Sequence, residues 1–286
     1  MIAIVDGGST KCDWVILDDL GTFLFKTNTI GFNPNIIEVG QIPDELESNT
    51  ELAEVRFKIQ HVFFYGSGCG TQENKEKVEK ALKRFFTNAQ FVVKEDLMAA
   101  AYSAYNGTPA IVCILGTGSN SCFFDGKNLK VELPSLGFLI GDDGSGCALG
   151  KTLVKDYFMK KLPEDLHQEF TETYGLSIEE LIKNMYHNPR ANAYLADFSK
   201  FIVDRKDHPY LQHLVFQELK NYFEFQVLPY EESKTSEINF IGSIAYYYED
   251  ILRAAGGEYH LNIGTIVQKP IERLVDYHRN YILPEL

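Results

Sequence analysis

Several short segments combine residue types that could bind phosphate, a metal ion or a hydroxyl group. Asp6-Gly7-Gly8-Ser9-Thr10-Lys11 and Gly116-Thr117-Gly118-Ser119-Asn120 each place small residues and hydroxyls in a turn between two apolar runs. Small residues let a backbone approach a polyphosphate, whose oxygens can accept from successive N–H groups and hydroxyls. Neither is a Walker A loop, which leads from a strand into a helix. Either segment alone also reads as an ordinary glycine hairpin, but two in the same local context point to opposite ends of a triphosphate. Asp6 ends its strand beside the first loop and suits a Mg²⁺ ion held largely through water, or serves simply as a turn residue.

Asp96 follows a short strand and opens an Ala-rich stretch. It reads either as a helix cap or as the carboxylate that orients an attacking hydroxyl and accepts its proton; its neighbour Glu95 is expected to face elsewhere. The segment Gly137 to Gly146 is dense in glycine and polar groups and precedes a helix. Asp142 there fits a carboxylate that accepts from sugar hydroxyls, with simple capping the plainer role for one of Asp142 and Asp143. Asn33 and Asn35 could exchange hydrogen bonds with sugar hydroxyls or an N-acetyl group, or simply shape a turn around Pro34. Gly242-Ser243, closing a late strand, could let an adenosine lie against backbone. Gly66-Ser67-Gly68 ends a strand in the first half.

The elements that must carry these residues repeat. Ile2–Val5, Cys12–Asp18 and Gly21–Thr29 read as an antiparallel meander; Ala110–Leu115, Ser121–Phe124 and Leu129–Leu133 read as a second. Overlaying Ile2–Trp14 on Ile111–Phe123 sets Gly7 over Gly116 and Thr10 over Ser119, so two domains of one design are expected. A strand is expected within Val55–Tyr65 and another at Gln90–Val93. Helices are expected over Thr71–Phe86, from Asp96 to about Tyr105, and over Gly144–Lys161. The breaker Asn106-Gly107-Thr108-Pro109 divides residues 1–107 from 108–286. A helical insertion is expected at about 162–230, and a last helix, at about 269–286, is expected to pack back on the first domain.

The chain has 286 residues, 45% of them hydrophobic, enough for two ordinary cores. A formal net charge of −13 opposes a surface that tracks nucleic-acid phosphates, so no nucleic-acid partner is expected. The start MIAIVDGG has no basic n-region, and no apolar run approaches the roughly 20 residues of a membrane span. Five cysteines with no C-x-x-C pair argue against a disulfide framework and a zinc site. A reduced, cytoplasmic setting without membrane attachment is expected.

Taken in order, Asp6 to Lys11, Glu95-Asp96, Gly116 to Asn120, Gly137 with Gly141 to Ser145, and Phe240-Ile241-Gly242-Ser243-Ile244-Ala245 resemble a known pattern. It is that of the N-acetylglucosamine kinase-like members of the BadF/BadG/BcrA/BcrD ATPase family, in the sugar kinase/Hsp70/actin superfamily. The resemblance implies an α/β protein of two RNase H-like (actin-like ATPase) domains with an interdomain cleft. It implies ATP and Mg²⁺ as cofactors and phosphorylation of the 6-hydroxyl of N-acetylglucosamine or a related hexosamine. Gly7, Gly8, Ser9, Thr10 and Lys11 become the first phosphate loop; Gly116, Thr117, Gly118 and Ser119 become the second. Asp96 becomes the base, Gly242 and Ser243 the adenosine pocket. Asn33, Asp96, Thr117, Gly137 and Asp142 become sugar ligands, and a homodimer is expected. Pro134-Ser135-Leu136 departs from the Gly-Gly-Trp of relatives near the sugar, and Gly264 to Pro270 replaces a glycine-rich stretch near the nucleotide. Two other readings use the same scaffold: an activator ATPase coupled to a shared metal cluster, and a non-catalytic sensor of nucleotide or sugar.

Overall fold

A strand that is buried on both faces must be apolar throughout, and Ile2–Val5 is. In the computed structural model, which describes residues 1–286, this run is the central strand β1 (Ile2–Gly7) of a five-stranded mixed sheet. Strands β2 (Lys11–Leu17) and β3 (Phe23–Ile30) pair antiparallel beyond it, while β4 (His61–Gly66) and β5 (Gln90–Glu95) pair parallel on its other side. The order is β3-β2-β1-β4-β5. Helices α1 (Ile42–Ser48), α2 (Thr50–Val55) and α3 (Gln72–Phe85) supply Ile42, Leu46, Leu52, Val78, Leu82 and Phe85 to a core with Ala3, Val5, Trp14 and Phe64. Thr71 caps α3 by accepting from Asn74 N–H at 3.3 Å. The two helices at 42–55 were not expected: each is seven residues or fewer, too short to show a period. Helix α4 (Asp96–Ala104) is almost wholly buried, which its alanines permit.

The second meander consists of β6 (Ala110–Leu115), β7 (Ser119–Phe124) and β8 (Leu129–Lys130); β9 (Glu237–Ile241) and β10 (Ile263–Val267) extend it in parallel. Its order, β10-β9-β6-β7-β8, repeats that of the first sheet element for element. Strand β8 has two residues, shorter than the expected Leu129–Leu133. The long stretch between β8 and β9 is helical: α5 (Gly137–Ile140), α6 (Gly146–Phe158), α7 (Glu164–Tyr174), α8 (Ile178–His187), α9 (Ala191–Asp197), α10 (Ser199–Val203) and α11 (Pro209–Tyr222). With α12 (Ser243–Tyr247) and α13 (Glu249–Glu258) these helices build a core around Leu149, Leu153, Phe170, Phe201, Leu219, Tyr222 and Phe240.

The pairing corrects the sequence overlay. Gly7 pairs with Gly66 and Cys12, whereas Leu115 pairs with Ser119 and stands one step beyond the pair Ile114–Ile241. Gly7 therefore corresponds to Leu115, not Gly116, and Cys12 rather than Thr10 corresponds to Ser119. The second hairpin is one residue shorter than the first, so an ungapped overlay slips.

Two compact units result: residues 1–105 with 269–286, and residues 106–268. The returning helix α14 (Ile271–Tyr277) and the turn after it complete the first unit. There the buried His278 ring shares a hydrogen bond with Tyr65 Oη at 2.8 Å, and Ser103 Oγ donates to the Pro270 carbonyl at 3.1 Å. No helix is long and apolar enough to cross a membrane.

Candidate functional site

In each unit the register gathers the candidate residues at one edge of the sheet, outside the carboxyl ends of the parallel strands, where open α/β sheets bind ligands. In the first unit Gly7, Gly66 and Glu95 form one row across β1, β4 and β5. The residues that follow them, from Gly8, Ser67 and Asp96 onward, emerge side by side. Ser67 N–H donates to the Gly7 carbonyl at 2.7 Å, so the turn after β4 is fixed to the first hairpin.

That hairpin is closed by Gly8 N–H donating to the Lys11 carbonyl at 2.9 Å and flanked by Gly31 N–H donating to the Thr10 carbonyl at 3.0 Å. Asn33 is buried, with its amide donating to Ser9 Oγ at 2.8 Å and its carbonyl accepting from Asn35 N–H at 3.0 Å. The side chain proposed to face a sugar thus also braces the hydroxyl of the first loop. Lys11 pairs with Asp13 at 2.9 Å across a half-exposed surface.

Asp96 is the first residue of α4, and Glu95 rather than Asp96 occupies the cap position. The Asp96 carboxylate accepts from Ser67 Oγ at 2.7 Å and from Leu97 N–H at 3.0 Å. Burial raises its pKa above the ordinary carboxylate value, and those two donors pull it part of the way back. Sequence reasoning noted Ser67 only as part of Gly66-Ser67-Gly68 at a strand end; its bond to Asp96 shows only in the structure. Glu95 is also raised, by burial and then by the charge of Asp96.

Asp6 lies directly across from Asp13 in the β1–β2 ladder. Its carboxyl is pushed up to about 7, first by burial and then by the charges of Asp13 and Asp96, against a smaller opposing pull from Lys11. A carboxylate crowded by two acidic neighbours favours an added cation. No group of three or more acidic, His or Cys side chains is placed to hold a metal ion.

In the second unit Gly116, Gly242 and Gln268 follow the strand ends, and Gly242 N–H donates to the Val267 carbonyl at 2.8 Å. Gly242 has φ +125°, a region that L side chains rarely adopt, and a Cβ there would overlap the Leu115 carbonyl. The backbone of the proposed adenosine bend therefore lies directly against the start of the second loop. Ser243 opens α12.

The second loop is closed by Gly116 N–H donating to the Gly118 carbonyl at 3.0 Å. Its outer carbonyls dock on a helix: Gly146 N–H donates to Gly116 O at 2.8 Å and Cys147 N–H to Thr117 O at 3.0 Å. Those are free N–H groups at the start of α6, so the loop and the helix satisfy each other. The cap of α6 is Ser145, whose hydroxyl accepts from Ala148 N–H at 3.2 Å; neither Asp142 nor Asp143 caps it with its side chain. Instead the Asp142 carboxylate turns onto the loop and accepts from Ser119 N–H at 3.3 Å. A Cβ on Gly118 would come within 2.9 Å of that carboxylate. Asp142 holds φ +60°, uncommon for a non-glycine residue, and the Asp143 carbonyl accepts from Ser119 Oγ at 2.7 Å. Gly137 opens α5, whose backbone is anchored by Lys151 Nζ donating to the Phe138 carbonyl at 2.6 Å.

The structure thus gathers Asp6, Gly7 to Lys11, Asn33 and Asp96 in one unit, and Gly116 to Ser119, Gly137, Asp142, Gly242 and Ser243 in the other.

The family model described as the BadF/BadG/BcrA/BcrD ATPase family matches residues 5–204. A candidate N-acetylglucosamine kinase from Porphyromonas gingivalis is 34% identical and superposes with a TM-score of 0.91, over 98% of this chain and 99% of that one. A candidate N-acetylglucosamine kinase from Chromobacterium violaceum is 15% identical, with a TM-score of 0.69 over 96% and 98% of the two chains. A ROK family glucokinase from Streptomyces griseus, in complex with glucose and AMPPNP, is 14% identical, with a TM-score of 0.54 over 97% and 99%. The last two speak for the fold alone, that of actin-like sugar kinases. No protein of curated function matches the sequence.

Proposed function

We propose that this chain, which belongs to the BadF/BadG/BcrA/BcrD ATPase family, is an ATP-dependent kinase that phosphorylates the 6-hydroxyl of N-acetylglucosamine or a related hexosamine. The observation that carries the reading is the Asp96 carboxylate, fixed by Ser67 Oγ at 2.7 Å and Leu97 N–H at 3.0 Å beside the first phosphate loop. A carboxylate so held is ready to accept a proton from a hydroxyl as its oxygen attacks phosphorus. The full-length likeness to a candidate N-acetylglucosamine kinase supports the choice of substrate.

Each residue then has one task. Gly7 to Lys11 and Gly116 to Ser119 offer N–H groups and hydroxyls to the phosphates of ATP. Gly242 and Ser243 present backbone to the adenosine. Asn33, Thr117, Gly137 and Asp142 hold the sugar, with Asp142 exchanging its bond to Ser119 for sugar hydroxyls. Asp6 holds Mg²⁺ through water; when bound, that ion offsets charge on the phosphates. Ser67 keeps the Asp96 oxygens aimed.

All five cysteines are buried and none forms a disulfide, and burial pushes the Cys69 and Cys147 thiols up to about 12. Neither presents an accessible thiolate for a cluster shared between subunits, so the activator reading has no ligand to offer.

The test is ADP release across a panel of hexoses and hexosamines, with the phosphorylated carbon identified in the product. Hexosamine-dependent release with phosphate on the 6-hydroxyl is the expected result. ADP release that no sugar alters, or phosphate on another hydroxyl, defeats the proposal.

A further inference from the structure

Helix α8 shows an apolar face to solvent. Of its ten residues only Leu181 is buried, while Ile178, Ile182, Met185 and Tyr186 are 48%, 46%, 38% and 73% exposed. Their spacing, i, i+4, i+7 and i+8, places all four on one stripe. A surface helix ordinarily turns such a stripe to its own core, and here the core contact is made by Leu181 at the stripe's margin, next to Leu176 and Phe170. The opposite side of α8 carries Glu180, Asn184 and His187 and suits water. Exposed large apolar side chains scattered singly need no explanation, but four in register on one helix mark an interaction surface.

The charges beside the stripe say what fits it. Glu179 and Lys183 flank the stripe on the same side, one turn apart, and neither is held in an ion pair within the chain. A two-fold axis that sets one such helix antiparallel on another keeps each flank against the same flank and reverses its direction. Glu179 of each copy then stands opposite Lys183 of the other. A parallel arrangement, with the two-fold axis along the helices, would set this flank against the opposite flank of the partner, where Glu179 meets no Lys183. An anionic membrane is a poor match, because the chain carries a net charge of −13 and α8 has one lysine and no arginine.

We infer that the Ile178–Ile182–Met185–Tyr186 face of α8 docks against the same face of a second copy of this chain, antiparallel about a two-fold axis. Such an isologous contact gives each subunit the same patch, with an apolar centre and a polar rim. A stable interface of ordinary size takes about 800 Å² from each partner, so residues around α8 complete the rim. The inference does not depend on the kinase reading, since it uses no residue of the proposed site.

The experiment is sedimentation velocity of the full chain over a range of concentrations, with circular dichroism as the check on folding. Wild type is expected to be a dimer, and Ile182→Glu or Tyr186→Asp, each at an exposed position, a folded monomer. Glu179→Lys should weaken the dimer roughly tenfold, and adding Lys183→Glu to it should restore it. That restoration belongs to the antiparallel arrangement alone. A wild-type monomer at every concentration overturns the inference. So does a dimer that survives both apolar substitutions, or a monomer that sediments with anionic vesicles through this face.

Discussion

The two glycine hairpins share a sheet position but not a setting. The first gathers carboxylates: Asp6 stands opposite Asp13, with Asp96 adding to the repulsion and Lys11 offsetting only part of it. The second is braced by α6, which receives the Gly116 and Thr117 carbonyls, and is covered by Asp142. One duplicated frame thus holds a carboxylate-rich edge in one unit and a hydrogen-bonded, helix-braced edge in the other. On the proposed roles, the first unit works on the reacting groups and the second positions ligands. If so, substitutions in the first unit should lower kcat and those in the second should raise KM.

The largest effect should come from Asp96→Asn, which keeps the shape and removes the proton acceptor. We expect kcat to fall by about 10²- to 10⁴-fold, with KM for the sugar and for ATP changed only a few-fold. Sugar-dependent turnover that survives this change would remove Asp96 from the chemistry and collapse the contrast between the units.

Next is Ser67→Ala. It deletes a 2.7 Å hydrogen bond to a carboxylate, a class of bond worth about 1.5–3 kcal/mol. The hydroxyl lowers the pKa of Asp96, so its loss should raise that pKa further. The expected outcome is a kcat reduced at least about tenfold at neutral pH, partly recovered at higher pH, with Ser67→Thr near wild type. A uniform loss at every pH, or equal loss in the threonine variant, would assign Ser67 a packing role instead.

Gly118→Ala probes the other hairpin and should act more weakly. The added methyl comes within 2.9 Å of the Asp142 carboxylate and must displace it or the loop. KM for ATP should rise roughly tenfold, about 1.4 kcal/mol, while kcat at saturation stays within a few-fold. A fall in kcat with KM unchanged would show that the second hairpin acts on the transition state and would break the division of labour.

How much of this was legible without coordinates follows from distance along the chain. The central strands announced themselves because burial on both faces leaves Ile2–Val5 and Ala110–Leu115 uninterrupted. The two-domain design followed from the two meanders, the α/β class came with the family resemblance, and the glycine turns fell where a strand must stop. What stayed hidden was set by contacts between distant residues. Ser67 gains its meaning from Asp96, 29 positions on, and the one-residue slip of the overlay shows only in strand pairing. Capping at α6 was also ambiguous, since Asp142, Asp143 and Ser145 are all good capping types and only geometry selects Ser145. The helices over 42–55 gave no period to read.

The last prediction concerns the charge that the first hairpin stores. The Asp6 carboxyl stands near 7 in the folded chain against an ordinary value of 3.8. Between those values the folded chain holds a proton that the unfolded chain has lost, so stability falls as pH rises. The contribution is complete below about pH 4 and gone once the pH passes about 7. In the absence of nucleotide and divalent ion, the melting temperature of wild type should therefore decline from pH 5 to pH 7.5 more steeply than that of Asp6→Asn. Asparagine keeps the shape and carries no charge to repel Asp13 and Asp96. The two curves should lie closest at low pH and separate on the alkaline side, with the asparagine variant the more stable. Mg²⁺ with a nucleotide should narrow that separation in wild type, because a cation beside Asp6 stabilises the charged form. Parallel curves across the whole range would mean that Asp6 carries no unusual charge, and the contrast between the two hairpins would then rest on Asp96 and Ser67 alone.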